Sequence, residues 1–165
     1  MTVQFDEQSE ALFQDLRRRH FPTELNRVGA HLTLFHSLPG DHEDEIIREI
    51  ARVAKSAAPF KAKVAGPMKL GRGVALRIES RQLEDVRRQL AARFDEWLIR
   101  QDKERFRPHV TVQNKVATHV ANALFDHLAA TLPEFEATVE GIQLWRYDDG
   151  RWAPIGAVPF QGPLA

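Results

Sequence analysis

The sequence predicts an α+β fold: a single bilobal domain in which two antiparallel-sheet lobes, related by a pseudo-twofold axis, carry helices on the outside and enclose a central cleft. Three observations predict it. The order strand, helix, hairpin occurs twice along the 165 residues, and each occurrence begins with His-x-Thr-x set among apolar neighbours. The length suits one domain, since single domains commonly run to about 100–200 residues.

The elements follow in order. Residues 6–20 form an amphipathic helix with Ala11, Leu12, Phe13 and Leu16 inward, Arg17, Arg18 and Arg19 solvated at its end, and Pro22 closing it. His31 to Phe35 alternates polar and apolar residues as a half-buried strand does, and Pro39-Gly40 turns the chain. Ile46, Ile47, Ile50, Val53, Ala54 and Ala57 then keep helical spacing. Phe60-Ala62-Val64 and Val74-Leu76-Ile78 form a hairpin around Gly71-Arg72-Gly73, which completes a first lobe of about residues 28–80. A connecting helix follows over about 82–100, with Leu83, Val86, Leu90, Phe94, Trp97 and Leu98 on one stripe.

The second lobe, about 105–160, repeats the pattern. His109 to Val112 alternates as a strand, Thr118 to Ala130 is a helix, and a hairpin turns at Asp148-Asp149-Gly150. Pro154 and Pro159 put the return strand, Arg151 to Phe160, at a sheet edge. Phe60 precedes Gly66 by six residues, as Phe135 precedes Gly141, so the two passages share a register.

Composition excludes several classes of function. A chain that is 43% hydrophobic and 28% charged is globular, and the absence of cysteine removes disulfides, thiolate nucleophiles and thiolate metal sites. Lys+Arg and Asp+Glu are both 23, a balance that argues against capture of duplex DNA. Asp6, Glu7 and Glu10 stand where a signal peptide would be basic, and no apolar run approaches the ~18 residues of a membrane span. The expectation is a cytoplasmic monomer that does not engage a membrane.

Chemistry concentrates in the two His-x-Thr strands. Seven His and seven Thr in this length supply about 0.3 such triplets by chance, so two in matching contexts carry information. Residues i and i+2 of a strand share a face about 6.6 Å apart, so His31 and Thr33, and likewise His109 and Thr111, open onto the cleft while Leu32, Leu34, Val110 and Val112 enter the core. Two facing imidazoles can remove one proton and deliver another at cellular pH, and two hydroxyls can hold the non-bridging oxygens of a phosphate between them. In-line cleavage or transfer of a phosphodiester fits this set without a metal or any other cofactor. The alternatives are strand histidines bonded at a sheet surface, or a zinc pair completed by His36 or His42; strand geometry sends His36 to the face opposite His31 if the strand continues that far.

Other residues have two readings. Arg105 and Arg107 flank Phe106, so that a guanidinium could meet a phosphate and the ring a base, or the three could be a solvated loop balanced by Asp102 and Glu104. Trp145 and Tyr147 could line the cleft or pack at an edge.

The tetrads His31-Leu32-Thr33-Leu34 and His109-Val110-Thr111-Val112, with Arg107-Pro108 before the second, resemble the signatures of the two-histidine (2H) phosphoesterase superfamily, especially its branch of 2′–5′ RNA ligases and cyclic phosphodiesterases. The resemblance spans about residues 28–160. It implies a bilobal α+β fold, metal-independent chemistry on 2′,3′-cyclic or 2′–5′ phosphodiesters of nucleotides or RNA ends, His31 and His109 as the catalytic pair, and Thr33 and Thr111 on the phosphate. Phe35-His36-Ser37-Leu38 stands where many members read Phe-Leu-Gly, and Gln113-Asn114-Lys115 where many carry Arg. Hydrolysis, ligation and non-catalytic binding of an RNA end remain open, as does which histidine is the base.

Overall fold

The protein is described here by a computed structural model covering residues 1–148 and 151–162. Its strands are β1 (Thr2–Phe5), β2 (Phe60–Lys69), β3 (Val74–Glu79), β4 (His109–Gln113), β5 (Phe135–Asp148) and β6 (Arg151–Pro159); its helices are α1 (Glu7–His20), α2 (Glu43–Ser56), α3 (Arg81–Arg93), α4 (Arg100–Lys103) and α5 (Thr118–Thr131). The strands form one antiparallel sheet in the order β1-β5-β2-β3-β4, with β6 beside β5. No helix among the described residues is long and apolar enough to cross a membrane.

Long β5 joins the two halves of the sheet. Its first residues pair with β2 from Val64↔Phe135 to Phe60↔Val139, its later ones pair with β6 from Gly141↔Pro159 to Asp148↔Arg151, and β1 runs along Val139 to Gln143. Gly141 is needed there, because a Cβ on it would come within 2.5 Å of the Val158 carbonyl. Pro154 and Pro159 do fall on a strand that follows β5 at the margin of the sheet, where their missing N–H groups cost least. Asp149 and Gly150 of the expected β5–β6 turn lie outside the described residues.

Strand pairing departs from lobes that are contiguous in sequence. The hairpin β2–β3, expected beside the first tetrad, hydrogen-bonds through β3 to β4, which carries the second (Arg77↔His109, Leu76↔Val110). The first tetrad lies instead against β1, an N-terminal strand that the sequence pattern does not announce. Each tetrad therefore sits beside a strand from elsewhere in the chain, so the division at residues 28–80 and 105–160 does not describe the pairing.

The segment expected as a strand from His31 to Phe35 is not one. Its ladder is reduced to the single bridge Thr2↔Thr33, with Val3 N–H donating to Leu32 O at 3.0 Å and Leu34 N–H to Met1 O at 3.0 Å. Alternating burial survives this irregularity: Leu32 and Leu34 are buried and His31 and Thr33 half-buried, as Val110 and Val112 are buried and His109 and Thr111 half-buried on β4.

Helices form where stripe and cap agree. Asp6 caps α1, its carboxylate accepting from Ser9 N–H (3.0 Å) and Ser9 Oγ (2.7 Å), and it also accepts from Thr138 N–H at 2.7 Å, tying the helix to β5. Ile46, Ile50, Val53 and Ala54 are the buried stripe of α2. Leu83, Val86 and Leu90 are that of α3, but this helix stops at Arg93 rather than running on to residue 100. Phe94 leaves helical geometry to bury wholly against Phe35 (ring centroids 5.6 Å), and a 3-10 turn (Asp95–Trp97) and short α4 follow. One continuous core joins these stripes to the inward faces of the sheet.

Candidate functional site

The two tetrads occupy opposite ends of the path through the sheet, yet both line one cavity of about 270 Å³. His31, Thr33, His109 and Thr111 all face it. The sheet therefore curves so that both ends of the path face one cavity. Helix α1 packs against the β4 end, where Arg17 Nη1 donates to the Thr111 carbonyl at 2.8 Å.

Both imidazoles are fixed in the same way. His31 Nδ1 lies 2.8 Å from the Gly29 carbonyl and His109 Nδ1 lies 2.7 Å from the Arg107 carbonyl, each two residues upstream. A carbonyl only accepts, so each Nδ1 carries the hydrogen and each Nε2 is left to take or give a proton. Burial pushes the His31 pKa below the ordinary imidazole value, with the charges of Arg17 and His109 pushing the same way against the bond to Gly29. The Trp152 ring lies against His31, centroids 4.9 Å apart.

Two buried arginines hold the tetrad backbones. Arg87 of α3 donates from Nε to the Leu34 carbonyl (2.7 Å) and from Nη2 to the Asp102 carbonyl (2.6 Å), with its guanidinium over the Phe35 ring at 3.8 Å. Arg17 adds a bond from Nε to Asn26 Oδ1 (2.8 Å) and lies over Phe21 at 3.9 Å. Burial lowers the pKa of both guanidiniums, which stay charged at neutral pH. The sequence pattern groups Arg17 with Arg18 and Arg19 as a solvated helix end. Arg18 and Arg19 are solvated and, among the described residues, form salt bridges to Asp15 alone, while Arg17 is buried. A signal for both clamps was present: Arg17 follows Phe13 by four residues and Leu16 by one, and Arg87 stands in the same relation to Leu83 and Val86, so each occupies its helix's apolar stripe.

Arg105, Phe106 and Arg107 reach the cavity. Phe106 also packs on the core and lies under Arg87, whereas Arg105 and Arg107 are exposed and make no salt bridge among the described residues. A wider groove of about 870 Å³ continues from the cavity past Arg87 and Phe106. Tyr147 is not brought to the histidines: it is 72% exposed and lines a separate recess with Leu38 and Ile155. Trp145 is tethered through Nε1 to Thr2 Oγ1 at 2.9 Å.

The strand that would turn His36 away from His31 does not continue that far. The chain bends after Thr33, so His36 faces the same cavity as His31 rather than the opposite side. Its Nδ1 lies 2.7 Å from Oδ1 of the buried Asp102 carboxylate, which also accepts from its backbone N–H, and Gln101 Nε2 is 3.1 Å from its Nε2. Among the described residues no group of three His, Asp or Glu side chains is arranged to hold a metal ion.

The sequence matches the 2′-5′ RNA ligase superfamily over residues 5–151. Among curated proteins none matches the chain at significant similarity. Its fold is similar to that of TT0787 of Thermus thermophilus (TM-score 0.68, 18% identity, covering 98% of this chain and 96% of that one). It is similar also to E. coli LigT complexed with 3′-AMP (TM-score 0.63, 18% identity, 96% and 95%) and complexed with NADP+ (TM-score 0.62, 17% identity, 97% and 95%). With the family match spanning most of the sequence, this chain belongs to the 2′-5′ RNA ligase superfamily, and its fold is similar to that of LigT over nearly its whole length.

Proposed function

We propose that the protein is a phosphodiesterase that opens 2′,3′-cyclic phosphates, or cleaves 2′–5′ linkages, on nucleotides or RNA ends, with His31 and His109 as its general base and general acid. The observation that carries this is the matched pair of imidazoles, each with Nδ1 committed to a backbone carbonyl, on one cavity with two threonines. The nucleotides bound by E. coli LigT in its solved complexes support a nucleotide substrate. The two halves of the sheet are read as pseudo-twofold relatives that meet at this cleft.

His31 is the base because its surroundings keep it neutral. Its Nε2 takes a proton from water as the water oxygen bonds to phosphorus. The bond from phosphorus to one ribose oxygen breaks, and His109 Nε2–H gives its proton to that oxygen. One water is consumed, the cyclic diester becomes a monoester, and proton exchange with solvent resets both rings. Thr33 and Thr111 donate to the non-bridging oxygens, and Arg105 and Arg107 attract the anion. The scheme moves every proton through an imidazole and asks for no metal, so EDTA leaves the rate unchanged.

The test is turnover of a nucleoside 2′,3′-cyclic phosphate. His31→Ala and His109→Ala each lower it by about 10²–10⁴-fold while circular dichroism stays that of wild type. Wild-type turnover in either variant overturns the reading.

A further inference from the structure

A second cavity, of about 470 Å³, adjoins the candidate phosphate cavity at His31, which lines both. We propose that this recess is a nucleobase subsite, taking the heterocycle of a nucleotide whose phosphate sits between His31 and His109. The inference rests on the phosphodiesterase reading for the position of the phosphate.

Three features of the wall select a base. The first is aromatic surface. The Trp152 and Trp145 rings stand 6.0 Å apart, Trp152 against His31 and Trp145 held by its bond to Thr2, so apolar ring surface lies directly beside the His31 imidazole. The second is amide capacity: Gln143 lines the recess, and its side chain can both donate to and accept from the edge of a heterocycle. Gln14, which lines the same recess, is already occupied: it accepts from Ala30 N–H (2.8 Å) and donates to the Ala30 carbonyl (2.9 Å) and Glu10 (2.6 Å), fixing the chain just before His31.

The third feature is charge. Glu7, Glu10 and Glu140 line the recess and no Lys or Arg does, so a second phosphate is repelled there while a neutral ring bearing N–H donors is welcome. The cavity it adjoins at His31 does carry cations, with Arg87, Arg105 and Arg107 set against Asp102 and Glu104. Together the two sides orient the substrate: base toward the tryptophans, and any continuing phosphate chain toward the arginines and the wide groove beyond Phe106.

The test compares adenosine 2′,3′-cyclic phosphate with methyl riboside 2,3-cyclic phosphate, which has the same reacting group and no base. In the wild type kcat/KM favours the nucleotide by roughly tenfold or more, mainly through KM. Gln143→Ala and Trp152→Leu each shrink that preference; because Trp152 touches His31, its variant is judged on the ratio and not on the absolute rate. The isosteric Gln143→Glu serves if Gln143→Ala misfolds, and it shrinks the preference as well. A wild-type ratio near one, or a ratio that survives both substitutions, overturns the subsite. If the wild type turns over neither compound, the phosphodiesterase reading has failed, and calorimetric binding of adenosine 3′-monophosphate then decides the subsite. Binding weakened by Gln143→Ala upholds it, and binding indifferent to that change overturns it.

Discussion

The two tetrads do the same thing on different supports. His109-Val110-Thr111-Val112 belongs to regular β4, hydrogen-bonded along β3. His31-Leu32-Thr33-Leu34 hangs beside β1 on one bridge and a few backbone bonds. Yet both bury their second and fourth residues, turn each histidine's Nδ1 onto the carbonyl two residues upstream, and have a nearby carbonyl held by a buried arginine from a helix remote in sequence. Regular strand geometry is thus dispensable for the constellation. What both halves keep is the alternation, the His-to-carbonyl bond and a cation to satisfy a backbone acceptor that would otherwise be buried unpaired. The surroundings differ more than the tetrads: His31 alone also lines an aromatic and acidic recess, whereas the cavity it shares with His109 holds Arg87, Arg105 and Arg107 with Asp102 and Glu104.

That asymmetry is sharpest in catalysis, where the expected effect is largest. If His31 is base and His109 acid, a diester with a nitrophenolate leaving group no longer needs a proton delivered to the departing oxygen. His109→Ala then recovers about 10²-fold or more of its deficit on that substrate relative to a ribose leaving group, whereas His31→Ala recovers little. Steady-state kinetics on the two substrates decides it, and the reverse pattern exchanges the roles of the histidines.

The clamps give the next largest effect. Arg87→Met keeps the aliphatic stem but leaves the Leu34 and Asp102 carbonyls buried without their donor, at a cost of about 2–4 kcal/mol. Arg17→Met strips one tetrad carbonyl, that of Thr111, which sits on a strand already paired with β3, and costs less. Urea unfolding of the two variants measures the difference. Equal losses would mean that the irregular first tetrad depends on its clamp no more than β4 does.

Much of this was legible in the sequence, for identifiable reasons. The stripe of α2, the β2–β3 hairpin and both tetrads are patterns of period 3.6 or 2, and period survives folding because burial enforces it. The line-up of Phe60 and Gly66 with Phe135 and Gly141 was also visible, although the glycines turn out to do different jobs: Gly66 takes φ 94° beside a bulge in β2, while Gly141 makes room for β6. What could not be read was which strands pair, since β1 has only four residues and its partners lie far along the chain. The stop of α3 at Arg93 was hidden because Phe94, Trp97 and Leu98 continue its apolar stripe; the deep seat for Phe94 beside Phe35 is a tertiary fact. The face His36 takes depends on whether the strand continues past Thr33, and the bend that decides it is not a periodic signal.

The smallest expected effect concerns pH and returns to the first tetrad. The pKa of His31 in the folded protein lies below its ordinary value of 6.5, mainly through burial. Between those two values the unfolded chain binds the proton more readily than the folded one, so folding stability is full above 6.5 and falls as pH drops through the window beneath it. If His31 is the base, the same titration sets the acid limb of kcat/KM, because a protonated base does not accept from water, and that limb then lies below 6.5. His31→Gln removes this contribution to the stability profile, and His109→Gln leaves it in place. Thermal melts of the three proteins from pH 5 to 8 read the difference. If His109→Gln flattens the profile and His31→Gln does not, the buried neutral imidazole belongs to the second tetrad and the assignment of the base moves with it.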